Sequence, residues 1–143
     1  MFKHNIKIRI ADWHTDKDSL AKIRRLVFIE EQNVPEDMEW DEYDDSATHF
    51  LATLDNKIIA TARLKTDGQI GRMAVLAEYR NKGIGSKLLQ FVLLTAIQQK
   101  LNNVYLHAQV SAISFYKKHG FTTCGHVFYE ANIPHREMSK KIC

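Results

Sequence analysis

The sequence predicts a mixed α/β fold with the element order β-α-βββ-α-β-α-ββ. Three observations lead there. Two turn pairs, Asp55-Asn56 and Asp67-Gly68, separate three short strand-like runs, the pattern of an antiparallel meander. A long helical pattern then precedes VYLHA at 104–108, so the strands at 69–75 and 104–108 should be parallel, joined by a crossover. Two more strand-like runs follow a short helix. A chain of 143 residues suits one domain, 1–143, with a single sizeable core.

IKIRI at 6–10 alternates apolar and basic residues, as a half-buried strand does. Thr15 or Asp16 can cap a helix that runs to about Gln32, with Leu20, Ile23, Leu26, Val27 and Ile29 at helical spacing. Pro35 ends it. HFLATL at 49–54, KIIATARLK at 57–65 and QIGRMAV at 69–75 form the meander. A helix to about Lys100 places Ile84, Leu88, Leu89, Val92 and Ala96 on one face, and Asn102-Asn103 breaks it. SAISFYKKH at 111–119 reads as a short helix closed by Gly120. FTTCGHVFYE and REMSKKI read as the last strand pair, joined by ANIPH.

Composition narrows the function. No run approaches the ~20 apolar residues of a membrane span, and the N-terminus has no apolar signal-peptide region. Cys124 and Cys143 make neither a disulfide framework nor a four-ligand zinc site, so the expectation is a reduced, cytoplasmic protein without a bound metal. The net charge of +3 is unevenly spread: residues 35–45, PEDMEWDEYDD, hold seven of the 17 acids, leaving 10 acids beside 20 Lys and Arg. The scattered basic residues match no nucleic-acid motif, and the acidic stretch would repel phosphate, so no nucleic-acid partner is expected.

RNKGIGSKLL at 80–89 raises a sharper question. Gly83 and Gly85 stand where a helix begins, although glycine is a poor helix former. A strand, a glycine loop and a helix N-terminus together suit an anion, because the first N–H groups are unsatisfied and glycines admit close approach. A P-loop needs GxxxxGK[ST], and a dinucleotide fingerprint needs a third glycine where this chain has Leu88; neither is present.

The spacing Arg80-x-x-Gly83-x-Gly85 resembles the R/Q-x-x-G-x-G/A loop of the GNAT N-acetyltransferase superfamily. The preceding strand ending MAV, the later SFYKKHGF at 114–121 and the element order resemble the same family over nearly the whole chain. FIEEQNVPEDMEWDEYD and EANIPH look like a set of small bacterial members, a likeness that implies no particular acceptor.

The resemblance implies the GNAT fold and an acetyl-CoA-dependent N-acetyltransferase that moves the acetyl group directly to a small-molecule or peptide amine. Met73, Ala74 and Val75 would meet the pantetheine arm, and Arg80, Asn81, Lys82, Gly83, Ile84, Gly85 and Ser86 the pyrophosphate. Tyr116 would touch the cofactor and serve as general acid. Gln109 departs from the asparagine found at that position in many relatives. For the base, Glu130 and His135 flank the turn and are favoured, with Glu30, Glu31 and His107 as further candidates. The acidic stretch implies a cationic acceptor, with Trp40 and Tyr43 offering cation–π contact. A homodimer is compatible with the family, and a non-catalytic acyl-CoA sensor is the alternative activity.

Overall fold

The computed structural model describes residues 5–35 and 41–142. Seven strands form one mixed sheet in the order β1-β2-β3-β4-β5-β7-β6. They are β1 (Ile6–Ile10), β2 (Thr48–Leu54), β3 (Lys57–Leu64), β4 (Gln69–Val75), β5 (Asn103–Gln109), β6 (Thr122–Glu130) and β7 (Ile133–Lys141). The pairings β1–β2, β2–β3, β3–β4, β5–β7 and β6–β7 are antiparallel, and β4–β5 is parallel. The helices are α1 (Trp13–Arg24), α2 (Ile84–Gln98) and α3 (Ile113–Lys118). The predicted order and the crossover are therefore those of the structure.

α1 and α2 cover opposite faces of the sheet. Phe50, Ala52 and Leu54 of β2 pack with Ile84, Leu88, Leu89, Val92 and Ala96 of α2, all nearly or fully buried. On the other face, Ile23 and Val27 pack with Ala74 and Leu76. Strand β4 serves both layers by its period of two: Met73 and Val75 join the first cluster, Ala74 the second.

Several boundaries differ from expectation. α1 is capped by Asp12, whose carboxylate accepts from the backbone N–H of His14 at 3.0 Å and Thr15 at 3.4 Å. Asp16 instead accepts from the Asp12 N–H and from Arg9. Beyond Arg24 the chain winds as a π-helical segment, Arg25–Glu31. Its wider turn leaves Leu26 39% exposed, although 3.6-residue spacing puts it inside. α2 ends at Gln98, because Lys100 takes a left-handed φ of 64°.

The last turn is also shorter than ANIPH. Ala131 (φ 50°) and Asn132 (φ 63°) alone make a two-residue hairpin turn, the sign pattern of type I′. Ile133, Pro134 and His135 belong to β7, which lies between β5 and β6. No described helix is long and apolar enough to cross a membrane.

Candidate active site

Strands β4 and β5 part almost as soon as they meet. Only Gln69↔Tyr105 and Ile70↔Leu106 are paired, while β4 continues to Val75 and β5 to Gln109. A bulge helps to turn β4 away: its register with β3 shifts between Thr61 and Arg63, and Arg72 adopts a left-handed φ of 47°. The gap opens into a cleft lined by Phe28, Gln32, Met73, Gln109, Tyr116 and His135, among others. Beyond Ile70, the β5-facing edge of β4 has no strand partner among the described residues, so Met73, Ala74 and Val75 can offer backbone groups to an extended ligand.

The glycine loop lies beyond the end of β4. Gly83 is the N-cap of α2 with φ 79°, and no side chain caps the helix. A left-handed cap suits glycine, and with no acid in the first turn its N–H groups present the positive end of the helix dipole. A Cβ at Gly85 would meet Phe115 at 3.6 Å and Met73 at 3.9 Å, ordinary contacts, so the fold itself permits alanine there. The Ser86 hydroxyl lies 3.0 Å from Nε2 of His119, whose ring is pushed down in pKa by burial and then by the charge of Lys140. Gly83, Ile84, Gly85 and Ser86 therefore form the uncapped first turn that a pyrophosphate needs.

Arg80 behaves differently from the simple cationic ligand expected of it. Its Nε donates to Val75 O at 2.8 Å, and its two terminal nitrogens donate to the Glu31 carboxylate at 2.6 and 2.8 Å. The Arg80 hydrogen bonds hold the Glu31 carboxyl below the usual carboxylate range. Glu31 is thus already paired and is a poor base, and Glu30, its exposed neighbour, is absent from the cleft lining.

Tyr116 is placed by a helix-stop motif. Phe121 N–H donates to Tyr116 O at 3.1 Å, and Gly120 N–H to Lys117 O at 3.0 Å, with Gly120 at φ 88°. The Tyr116 and Phe121 rings meet edge-on at 5.8 Å, the contact that usually accompanies this motif. The hydroxyl points at Met73 Sδ, 3.9 Å away, which is a weak acceptor. Burial pushes the phenol up to about 12, so it holds its proton at neutral pH.

Across the cleft, the turn between β6 and β7 brings Glu130 and His135 together. His135 Nδ1 donates to Ile133 O at 2.7 Å, which directs Nε2 toward Glu130 Oε2 at 4.0 Å. His107 Nδ1 donates to the other Glu130 oxygen at 2.8 Å, and its Nε2 faces Glu137 at 3.6 Å. Glu130, His135 and His107 all line the cleft. Gln109 donates to Gln32 Oε1 at 2.9 Å.

Two acids of the stretch, Asp41 and Asp44, are compensated from within. Arg24 and Arg63 each donate to Asp44 at 3.0 Å, and Asp41 accepts from Arg63 at 2.7 Å and Arg72 at 3.2 Å. Burial alone would push the Asp44 carboxyl up; the two guanidinium groups outweigh it and hold it low. Lys65 sits 3.8 Å over the Tyr43 ring, so that cation–π position is filled by the chain itself. Trp40, Glu36, Asp37 and Glu39 lie outside the described residues. Composition showed the acids; only the tertiary structure shows which arginines face them.

Known proteins resemble this chain in sequence and in fold. The family model described as an acetyltransferase (GNAT) domain matches residues 16–142. The protein YyaT of Bacillus subtilis is 35% identical, covering 96% of this chain and 97% of its own length. The N-acetyltransferase YjcF of the same organism is 32% identical over 82% of this chain and 87% of its own. A crystal structure of an acyl-CoA N-acyltransferase from Pseudomonas aeruginosa superposes with a TM-score of 0.83 at 28% identity, covering 96% of this chain and 99% of that one. With the family model matched over nearly the whole chain and relatives at 32% and 35% identity, this chain is a member of the GNAT acetyltransferase family.

Proposed function

We propose that the protein transfers the acetyl group of acetyl-CoA directly to a primary amine within a ternary complex. The observation that carries this is the gap between β4 and β5, with the uncapped start of α2 beyond the end of β4 and the Tyr116 hydroxyl inside it. Pyrophosphate would rest on the first turn of α2, from Gly83 to Ser86, with Asn81 and Lys82 beside it. The pantetheine arm would pair with the free edge of β4, and an N–H among Met73, Ala74 and Val75 would polarise the thioester carbonyl.

The amine nitrogen attacks the carbonyl carbon, a C–N bond forms, and the C–S bond breaks. The departing thiolate takes the Tyr116 proton, which burial has kept on the phenol. The amine must first be neutral. His135 is suited to accept its proton, because Nδ1–H is committed to Ile133 O and a proton on Nε2 would face the Glu130 carboxylate. We favour a cationic acceptor on the strength of Glu130 at the cleft, since Asp41 and Asp44 are already held by arginines.

The test is coenzyme A thiol release from acetyl-CoA by pure protein against polyamines, amino sugars, amino acids and lysine peptides. Amine-dependent release supports the reading and identifies the acceptor class. Acetyl-CoA bound without release under any amine would favour the sensor alternative, and no binding at all would remove the pyrophosphate reading of RNKGIG.

A further inference from the structure

A line of side-chain hydrogen bonds, joined through one backbone step, crosses the gap where the sheet has no ladder. It starts at the carbonyl of Val75, the last residue of β4, which accepts from Arg80 Nε. The Arg80 fork then grips Glu31 through two bonds. The next residue, Gln32, accepts from Gln109, the last residue of β5. The two strand ends are thereby tied to adjacent residues of a third segment, the end of the π-helical turn, which is also anchored by Val27 in the core. A bidentate guanidinium–carboxylate pair fixes direction as well as distance. The π turn supplies the register that puts the Glu31 and Gln32 side chains on different partners.

We propose that the series Val75–Arg80–Glu31–Gln32–Gln109 is a brace that sets the separation of β4 and β5, making Glu31 and Gln109 positioning residues for the acyl-CoA thioester. This rests on the acyl-CoA reading of the cleft. Arg80 acts here through its geometry, as a link between the loop and the π turn, with its charge spent on Glu31. The side chain of Gln109 has the reach to bring its amide to Gln32. The same residues fix the cleft wall formed by Phe28 and Gln32, so cofactor and acceptor sides share one support.

A brace in series predicts coupling between residues that do not touch. The experiment uses the full chain with E31Q, Q109A and the double variant. Amide hydrogen exchange of the ligand-free protein should quicken at both strand ends, near 73–76 and 106–110, in either single variant. Coenzyme A affinity by calorimetry should fall about fivefold in each single variant and no further in the double, because one break already releases the brace. Exchange that changes only at the mutated side, losses that multiply in the double variant, or tighter binding in E31Q would each overturn the brace, the last by showing that Glu31 merely withholds Arg80 from the anion. If the unaltered protein fails to bind coenzyme A, the acyl-CoA reading falls, while the exchange data still judge the brace.

Discussion

The Tyr116 hydroxyl lies 3.9 Å from the Met73 sulfur, across the part of the sheet where β4 and β5 have separated. The two residues are 43 positions apart and belong to the elements that should flank the thioester. Replacing Tyr116 by Phe removes one oxygen and a weak hydrogen bond to sulfur, so the fold should persist. Turnover should fall by about 100-fold or more, with coenzyme A affinity little changed. Thiol release and calorimetry on the same preparation separate the two effects.

The pH dependence follows from the direction of the Tyr116 shift. Its active form is the protonated one, and burial raises the phenol from 10 to about 12. The acid therefore stays charged with its proton across the neutral range, and loss of activity from its ionisation begins only above pH 10. Amine-dependent turnover should rise with pH through the range where amine and base deprotonate, with no falling limb from Tyr116 below pH 10. A descending limb near pH 8 to 9 that vanishes in Tyr116→Phe would contradict the raised pKa while supporting the acid role.

Glu130 and His135 should act as one unit. Substituting His135 by Asn or Glu130 by Gln should each lower kcat/KM about 10- to 100-fold near pH 7, and the double variant should resemble the worse single one. The loss should shrink at high pH, where the free amine is already neutral. Losses that are pH-independent would indicate a purely structural hairpin.

The two glycines of the loop should separate cleanly. Gly83→Ala forces a Cβ into the left-handed region at φ 79° and should cost about 1–2 kcal/mol of stability while weakening coenzyme A binding. Gly85→Ala meets only ordinary contacts and should leave the unfolding midpoint nearly unchanged. Thermal unfolding with and without coenzyme A reads both.

Asp44 is a structural acid. It is 6% exposed between Arg24 and Arg63, and its backbone carbonyl accepts from His49 Nε2 at 2.7 Å. Asp44→Asn leaves two buried guanidinium groups short of a counter-charge, at a cost of about 3–5 kcal/mol. Its folded pKa is depressed, so its contribution is fully present above the unfolded value of 3.8 and is lost as pH falls below that through the folded value. Urea unfolding at pH 7 and near pH 3 should show the difference between the native chain and the variant shrinking in acid.

Local signals carried most of the fold. Asp55 and Asn56 sit at φ 51° and 69° as a turn pair should, Gly120 closes the helix that carries Tyr116, and Gly83 caps α2 in the left-handed region. What stayed hidden has a non-local or non-periodic cause. An arginine at a left-handed bulge, Arg72, has no sequence signature because the neighbouring strands impose it. The π turn hides within a helical apolar pattern, and it moved Leu26 outward and Glu31 onto Arg80. The pairing of Asp41 and Asp44 with Arg24, Arg63 and Arg72 joins positions 19 to 31 residues apart. The nearness of Glu130 and His135 was visible from the turn between them; the addition of His107 came from the β5–β7 pairing.

The strand order β5-β7-β6 also carries a consequence in time. During synthesis β6 emerges before β7, yet it touches the sheet only through β7. A nascent chain can therefore assemble the meander, α2 and the glycine loop while the wall bearing His135 does not yet exist. The wall of the cleft bearing Glu130 and His135 is completed only when β7 joins the sheet, so a chain stopped short of β7 would keep the free edge of β4 and the glycine loop and lack the proposed base.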